Sequence, residues 1–209
     1  SRKNKIKHLV FASTSSVYGR SNTFPLNEKF NTEQPLSFYA ATKKSNELMA
    51  YSYANIYNLP CTALRFFTVY GPYGRPDMSL YKFTEAIINN KSISLFNNAN
   101  HVRDFTYIED VVISITKLIN KIPKNKIPFN ILNIGSNNPK QLKYFVNIIE
   151  NIFNKKSIKK MLPKRKGDVQ KTHADISSLN KLIKYKPSTS IKKGIKEFVD
   201  WYKIFYRIK

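Results

Sequence analysis

The sequence predicts an α/β fold with parallel strand pairing. Three short apolar runs, residues 8–12, 61–67 and 131–134, have strand length and end at small or turn-forming residues. Segments with helical apolar spacing lie between and after them, and that alternation is how parallel strands are joined. With 42% hydrophobic residues in 209, the chain can bury a core and is not intrinsically disordered. The length allows one domain or two small ones.

In order along the chain, residues 8–12 form a strand that delivers Ser13, Thr14, Ser15 and Ser16 at its carboxyl end. Residues 20–36 hold two prolines and read as loop. A helix is expected from about Ser37 to Tyr57, with Leu48, Tyr51 and Ala54 or Asn55 continuing one face from Tyr39 and Lys44. Pro60 follows its end. After the strand at 61–67, residues 71–76 are an irregular Gly/Pro loop. Helices are expected over 80–90, 109–121, 141–153 and 191–206, and short strands over 93–96 and 131–134, the last stopped by Gly135. Residues 155–171 are weakly patterned and read as a connection between two lobes.

The chain carries 36 Lys and Arg against 13 Asp and Glu, a net charge of +23. Nucleic-acid binding is the first class this raises, but only seven of the cations are Arg, the residue suited to bidentate phosphate and base recognition. Lys, Asn and Ile make up 74 of the 209 residues, the mixture an AT-rich coding sequence produces, so the charge reads as a solvated surface. It is uneven, with a net +6 over 1–120 and +17 over 121–209. One cysteine, Cys61, excludes an internal disulfide and a multi-cysteine metal site. His8, His101 and His173 are scattered without a second ligand at metal spacing, so no metal is expected. No apolar run reaches the length of a membrane span, and the reading is of a soluble, cytoplasmic protein.

Chemistry concentrates in the first third. Tyr39 and Lys43 lie four apart on the expected helix. An ammonium one turn away favours a phenolate, the form in which a tyrosine works as a base. The hydroxyls of residues 13–16 sit at the end of a strand, where open α/β sheets place their ligand crevices. Taken singly, the first feature also fits a surface pair and the second a turn that bonds its own backbone.

Together with residues further along the chain, they resemble a known family. Ser13-Thr14-Ser15-Ser16-Val17-Tyr18-Gly19, Tyr39-x-x-x-Lys43, Arg65-Phe66-Phe67-Thr68-Val69-Tyr70-Gly71-Pro72, and Arg103-Asp104-Phe105-Thr106-Tyr107-Ile108-x-Asp110 with Asn133-Ile134-Gly135 are similar, in the same order, to the extended short-chain dehydrogenase/reductases of the NAD-dependent epimerase/dehydratase family. The loop from Gly71 to Met78 and the run Lys166-Gly167-Asp168-Val169 resemble its UDP-glucuronate 4-epimerases. Dehydratases of the family carry Asp and Glu after the threonine. Ser15 and Ser16 stand there in this chain, neither an acid nor a base near neutrality, which disfavours dehydration.

The resemblance implies the C-terminal part of a Rossmann-type doubly wound parallel sheet plus a small α/β substrate lobe. Residues 1–76 would be the remaining half of the NAD-binding domain. Residues 77–209 would be mainly the nucleotide-sugar lobe, with elements near 105–135 returning to the sheet. It implies NAD as cofactor, a UDP-sugar as substrate and a homodimer. Thr14, Tyr39 and Lys43 would be catalytic, and Ser13, Tyr39, Lys43, Phe66 and Val69 would contact the cofactor. Ser15, Ser16, Thr68 and Arg75 would meet the sugar, with Phe83, Phe96, Arg103, Arg165 and Asp168 around the nucleotide. Arg103 has an alternative as the structural partner of Asp104 or Asp110, and Phe83 and Phe96 as plain core residues. Other epimerase substrates, UDP-glucose or a UDP-N-acetylhexosamine, and a basic binding module without catalysis are the competing readings. No G-x-G-x-x-G precedes the first strand, so roughly 100 residues of the family's first half are expected to be missing, leaving a chain that holds NAD poorly and does not turn over by itself.

Overall fold

The apolar runs become three parallel strands in the computed structural model, which describes residues 1–208. The chain forms β1 (Leu9–Thr14), α1 (Phe38–Tyr57), β2 (Cys61–Phe66), β3 (Thr68–Tyr70), α2 (Ser79–Ile88) and β4 (Ser92–Phe96). It continues through β5 (Val102–Arg103), β6 (Phe105–Tyr107), α3 (Ile108–Ile119), β7 (Phe129–Ile134) and β8 (Lys140–Gln141). It ends with α4 (Leu142–Phe153), β9 (Ile158–Leu162), α5 (Ser177–Ile183) and α6 (Ile191–Phe205).

The main sheet has the order β1-β2-β7, all parallel. Its register sets Thr14 opposite Phe66, and Phe66 opposite Ile134, so the three strands end level at their carboxyl edge. β2 is central, and its first five residues are all buried, as a parallel strand covered on both faces requires. Helices α3 and α5 cover part of the sheet through Val111, Leu118, Leu179 and Ile183 on Leu64, Leu132 and Ile134. Ala54 of α1 packs with Leu59 and Cys61.

Three capping features fix α1. The Ser37 hydroxyl accepts from the Ala40 N–H at 3.2 Å, Asn58 closes the helix in the left-handed region, and Pro60 prevents its continuation. The buried stripe of this helix differs from the sequence expectation. It runs through Ala40, Glu47 and Ala54, a seven-residue spacing, while Leu48, Tyr51 and Ile56 are exposed. Apolar periodicity misplaced it because a carboxylate occupies the centre of the inward face.

A second core is built from α2, α4, α6, β4 and β6, with Phe83, Ile93, Leu95, Phe145, Ile149, Phe198 and Tyr202 at its centre. Residues 155–171 are more ordered than a connection. Within them β9 pairs in parallel with β4 from Ser92↔Ile158 to Phe96↔Leu162. Its exposed lysines hid the strand from apolar patterning. The short helix α5 also lies outside the predicted elements. Among the described residues no helix is long and apolar enough to cross a membrane.

Glu150 anchors β9 to α4. Its side chain is 2% exposed, and Oε1 accepts from the Lys159 ammonium at 2.6 Å and from the Ser157 N–H at 2.9 Å. Burial alone would raise its pKa. The Lys159 and Ser157 bonds reverse that and hold it at about 2. A carboxyl depressed in the folded state stabilises the fold above its unfolded value, and that contribution fades as pH falls from 4.5 towards 2. Glu150→Gln should lower Tm at pH 7 by roughly 3–8 °C, as expected for about 1–3 kcal/mol, and the deficit should shrink in melts recorded from pH 4.5 down to 2.

Candidate active site

The carboxyl ends of β1 and β2 open onto a cavity of about 690 Å3. Ser13–Ser16 and Phe66–Val69 enter from the strand ends, Tyr39 and Lys43 from α1, and Gly71–Arg75 from the loop after β3. Ser15–Tyr18 form one 3-10 turn, in which the Ser16 N–H donates to Thr14 Oγ1 at 3.2 Å. The Thr14 hydroxyl in turn donates to Ser16 Oγ at 3.2 Å. Tyr39 is 53% exposed, while Lys43 is half-buried and donates to the Ala12 carbonyl at 3.1 Å. The three proposed catalytic residues therefore share one cavity. No carboxylate lines it among the described residues, and its only cationic side chains are Lys43 and Arg75.

Ser13 turns away from the cavity's centre. Its hydroxyl donates to Glu47 Oε1 at 2.6 Å, and Glu47 is also gripped by Arg65. Gly71, at φ +141°, lets the loop pass over Ile108; a Cβ there would lie 2.5 Å from that side chain. Arg75 pairs through both forks with Asp77, at 3.0 and 2.7 Å, where both side chains are well exposed.

A neighbouring cavity of about 610 Å3 continues past Thr68, Met78, Ser79 and Phe105, which line both. It gathers Phe83, Phe96, Arg103, Arg165 and Asp168, along with Lys82 and His101. Phe83 is part of the buried core as well as of this wall. The Arg165 guanidinium lies 3.7 Å from the Phe96 ring centroid. Arg103 pairs with Asp168 at 2.9 Å and also donates to the Val102 and Gln170 carbonyls at 3.1 Å each. Its structural partner is thus neither Asp104 nor Asp110. Asp104 instead accepts from the Ser136 and Ala174 N–H groups, and Asp110 from the Thr189 N–H. His101 stands 3.0 Å from the other Asp168 oxygen. Burial, then the Arg103 charge, push its pKa down, so it is neutral at pH 7.

Residues 1–135 match the family described as NAD dependent epimerase/dehydratase. The chain belongs to this family. Among its epimerase/dehydratase relatives, a Staphylococcus aureus protein named CapI is 46% identical over 99% of this chain and 66% of its own length. A protein of Rhizobium meliloti named a probable UDP-glucuronate 4-epimerase is 44% identical over 96% of this chain and 63% of its own. The chain thus spans a little under two thirds of the length of these relatives. Its fold superposes with a TM-score of 0.91 on the UDP-glucuronic acid 4-epimerase of Bacillus cereus, solved with UDP-glucuronic acid and NAD, at 32% identity over 98% of this chain and 64% of that one. A Thermotoga maritima UDP-glucose 4-epimerase solved with UDP-glucose gives 0.88 at 28% identity, over 99% and 66%. The α/β fold with parallel sheets is therefore the family's own.

Three features of the site had gone unread in the sequence. Tyr70, Phe105 and Phe145 wall the first cavity, and nothing in their spacing marked them. Tyr18 donates to Asn133 Oδ1 at 2.6 Å behind it, with burial pushing its phenol up to about 12. Glu47 did leave a signal: it continues the four-residue spacing of Tyr39 and Lys43 by one further turn.

Proposed function

We propose that the protein is a nucleotide-sugar 4-epimerase that converts UDP-glucuronate to UDP-galacturonate with NAD as a bound cofactor in the cytoplasm. The observation that carries this reading is the content of the first cavity: Thr14, Tyr39 and Lys43 together, serines at 15 and 16, and no lining carboxylate among the described residues. Water loss needs a further acid or base, and the cavity offers none near neutrality. Tyr70 is no substitute, since burial pushes its phenol well above the ordinary value.

The residues present fit the cofactor. Lys43 offers an ammonium for a ribose hydroxyl beside the strand ends, and Phe66 and Val69 offer a half-buried apolar wall beneath it. When bound, NAD would supply a reversible hydride acceptor for the sugar C4. Tyr39 takes the 4-hydroxyl proton and gives it back. Thr14 donates a hydrogen bond to the 4-oxygen, releasing its bond to Ser16. The second cavity holds the nucleotide, with Arg103 and Arg165 at the diphosphate, Asp168 orienting Arg103, and Phe83 and Phe96 as walls. Ser15, Ser16 and Thr68 donate to the uronate carboxylate. Arg75 reaches it by exchanging Asp77, because an exposed ion pair is worth only about 0–1 kcal/mol.

The exposed apolar residues of α1, Leu48, Met49, Tyr53 and Ile56 among them, support a homodimer through that helix. Leu48→Glu with Ile56→Glu should convert a dimer into a monomer in sedimentation equilibrium. An unaltered mass would place the interface elsewhere.

The chemical assignment is tested in the full-length protein. Tyr39→Phe should reduce turnover of UDP-glucuronate by about 10²–10⁴-fold with little change in nucleotide affinity, since it removes the base and keeps the ring. Near-parental turnover would reject Tyr39 as the base.

Substrate choice is tested by Arg75→Ala. Losing a charged contact worth about 1.5–3 kcal/mol should lower kcat/KM for UDP-glucuronate tenfold or more relative to UDP-glucose. An unchanged ratio would leave the carboxylate to the three hydroxyls.

A further inference from the structure

Glu47 takes no part in the proton and hydride transfers of the epimerase reading, yet two side chains from two strands converge on it. It sits on α1, one turn beyond Lys43 and two beyond Tyr39, with its side chain 2% exposed. Oε1 accepts from the Ser13 hydroxyl on β1 at 2.6 Å and from Arg65 Nε on β2 at 2.9 Å. Oε2 accepts from Arg65 Nη2 at 2.8 Å. Arg65, 1% exposed, also donates to the Glu28 carbonyl at 3.3 Å and faces the Tyr18 ring at 4.8 Å.

Each partner adjoins a segment of the cavity: Ser13 precedes Thr14, and Arg65 precedes Phe66. Apolar contact is non-directional and would let a helix rotate or slide by an ångström. A two-pronged guanidinium–carboxylate pair fixes both direction and distance. The Lys43 bond to the Ala12 carbonyl is the other polar tie from this part of α1 to β1.

We infer that Glu47 is a positioning residue: through Ser13 and Arg65 it sets the rotation and axial position of α1 against β1 and β2, and so holds Tyr39 and Lys43 at working distance from Thr14. Its consequence for turnover rests on the epimerase reading; its mechanical part rests on geometry alone.

Glu47→Gln would leave a buried guanidinium without its counter-charge and is prone to misfold. The informative variant is the pair Glu47→Leu with Arg65→Met, which refills the space with apolar groups of similar volume. Three quantities are compared with the parent: the melting temperature, amide hydrogen exchange along α1 and α4, and kcat and KM for UDP-glucuronate in the full-length protein. The paired variant should melt close to the parent. Amides of residues 40–47 should exchange at least tenfold faster while those of α4 are unaltered, and kcat should fall at least tenfold with KM within threefold. Parental exchange along α1 in the folded variant would overturn the inference, as would a parental kcat. A parent without turnover would reject the epimerase reading, and the exchange comparison would still decide the positioning claim. If the paired variant does not fold, Ser13→Ala, which keeps the ion pair, is judged by the same exchange and kcat criteria.

Discussion

A guanidinium in the middle of a three-stranded sheet is the constraint around which this protein is arranged. Arg65 lies on the central strand, flanked by β1 and β7, at 1% exposure. A buried charge of this kind persists only if it is fully paired, since stripping its partner typically costs about 3–5 kcal/mol. Its donors are met by the Glu47 carboxylate and the Glu28 carbonyl, with the Tyr18 ring beneath. Burial opposes charge on Glu47, but the Arg65 and Ser13 bonds win and keep its pKa low. The network then runs outward. Tyr18 stays neutral and donates to Asn133, whose amide donates to the Leu26 and Asp175 carbonyls. Loop, helix and sheet are thereby tied together at the edge that carries the cavity.

That tie fixes the floor of the cavity through paired strands, whereas its roof is a loop. Thr14, Phe66 and Ile134 end level because parallel register leaves no freedom once β1, β2 and β7 are paired. The roof comes from residues 71–75, in which Tyr73 and Arg75 are well exposed. Gly71 is seated against Ile108 and Tyr107, Gly74 lies beside Phe198, and the Tyr73 ring packs on Trp201 at 5.1 Å. Under the proposed function, a sugar that turns between two hydride transfers would meet a base fixed by helix and sheet beneath a loop cover.

Much of this was legible in the sequence, and the exceptions share a cause. β1, β2 and β7 were readable as short continuous apolar runs, although only the central β2 is buried through nearly its whole length. The ends of α1 were readable because Ser37, Asn58 and Pro60 are local signals. The inward face of α1 was misread because its centre is Glu47, whose burial depends on Arg65, eighteen residues away. β9 was missed for the same reason: the exposed Lys159 and Lys160 obscure a strand defined by its pairing with β4. Thr14, Tyr39 and Lys43, which the structure brings to one cavity, were singled out through ordered motifs. The Arg103–Asp168 pair was not, because the two residues lie sixty-five apart and meet only in the folded chain.

The two cavities differ in charge. The first is lined by hydroxyls and aromatic rings, with one ammonium at its edge and one arginine already occupied by Asp77. The second holds Arg103, Arg165 and Lys82 against Asp77 and Asp168, and each of those carboxylates is itself paired. Under the proposed function, a sugar nucleotide matches that division: the diphosphate needs fixed positive charge, and the sugar needs weak neutral contacts it can exchange while turning. A strong cation fixed beside the sugar carbon would hold one orientation and slow the return of the hydride. Arg75 avoids this by sitting on an exposed loop with a solvated partner. On that reading it would follow the carboxylate in either orientation, while the anchoring charge would stay at the nucleotide end.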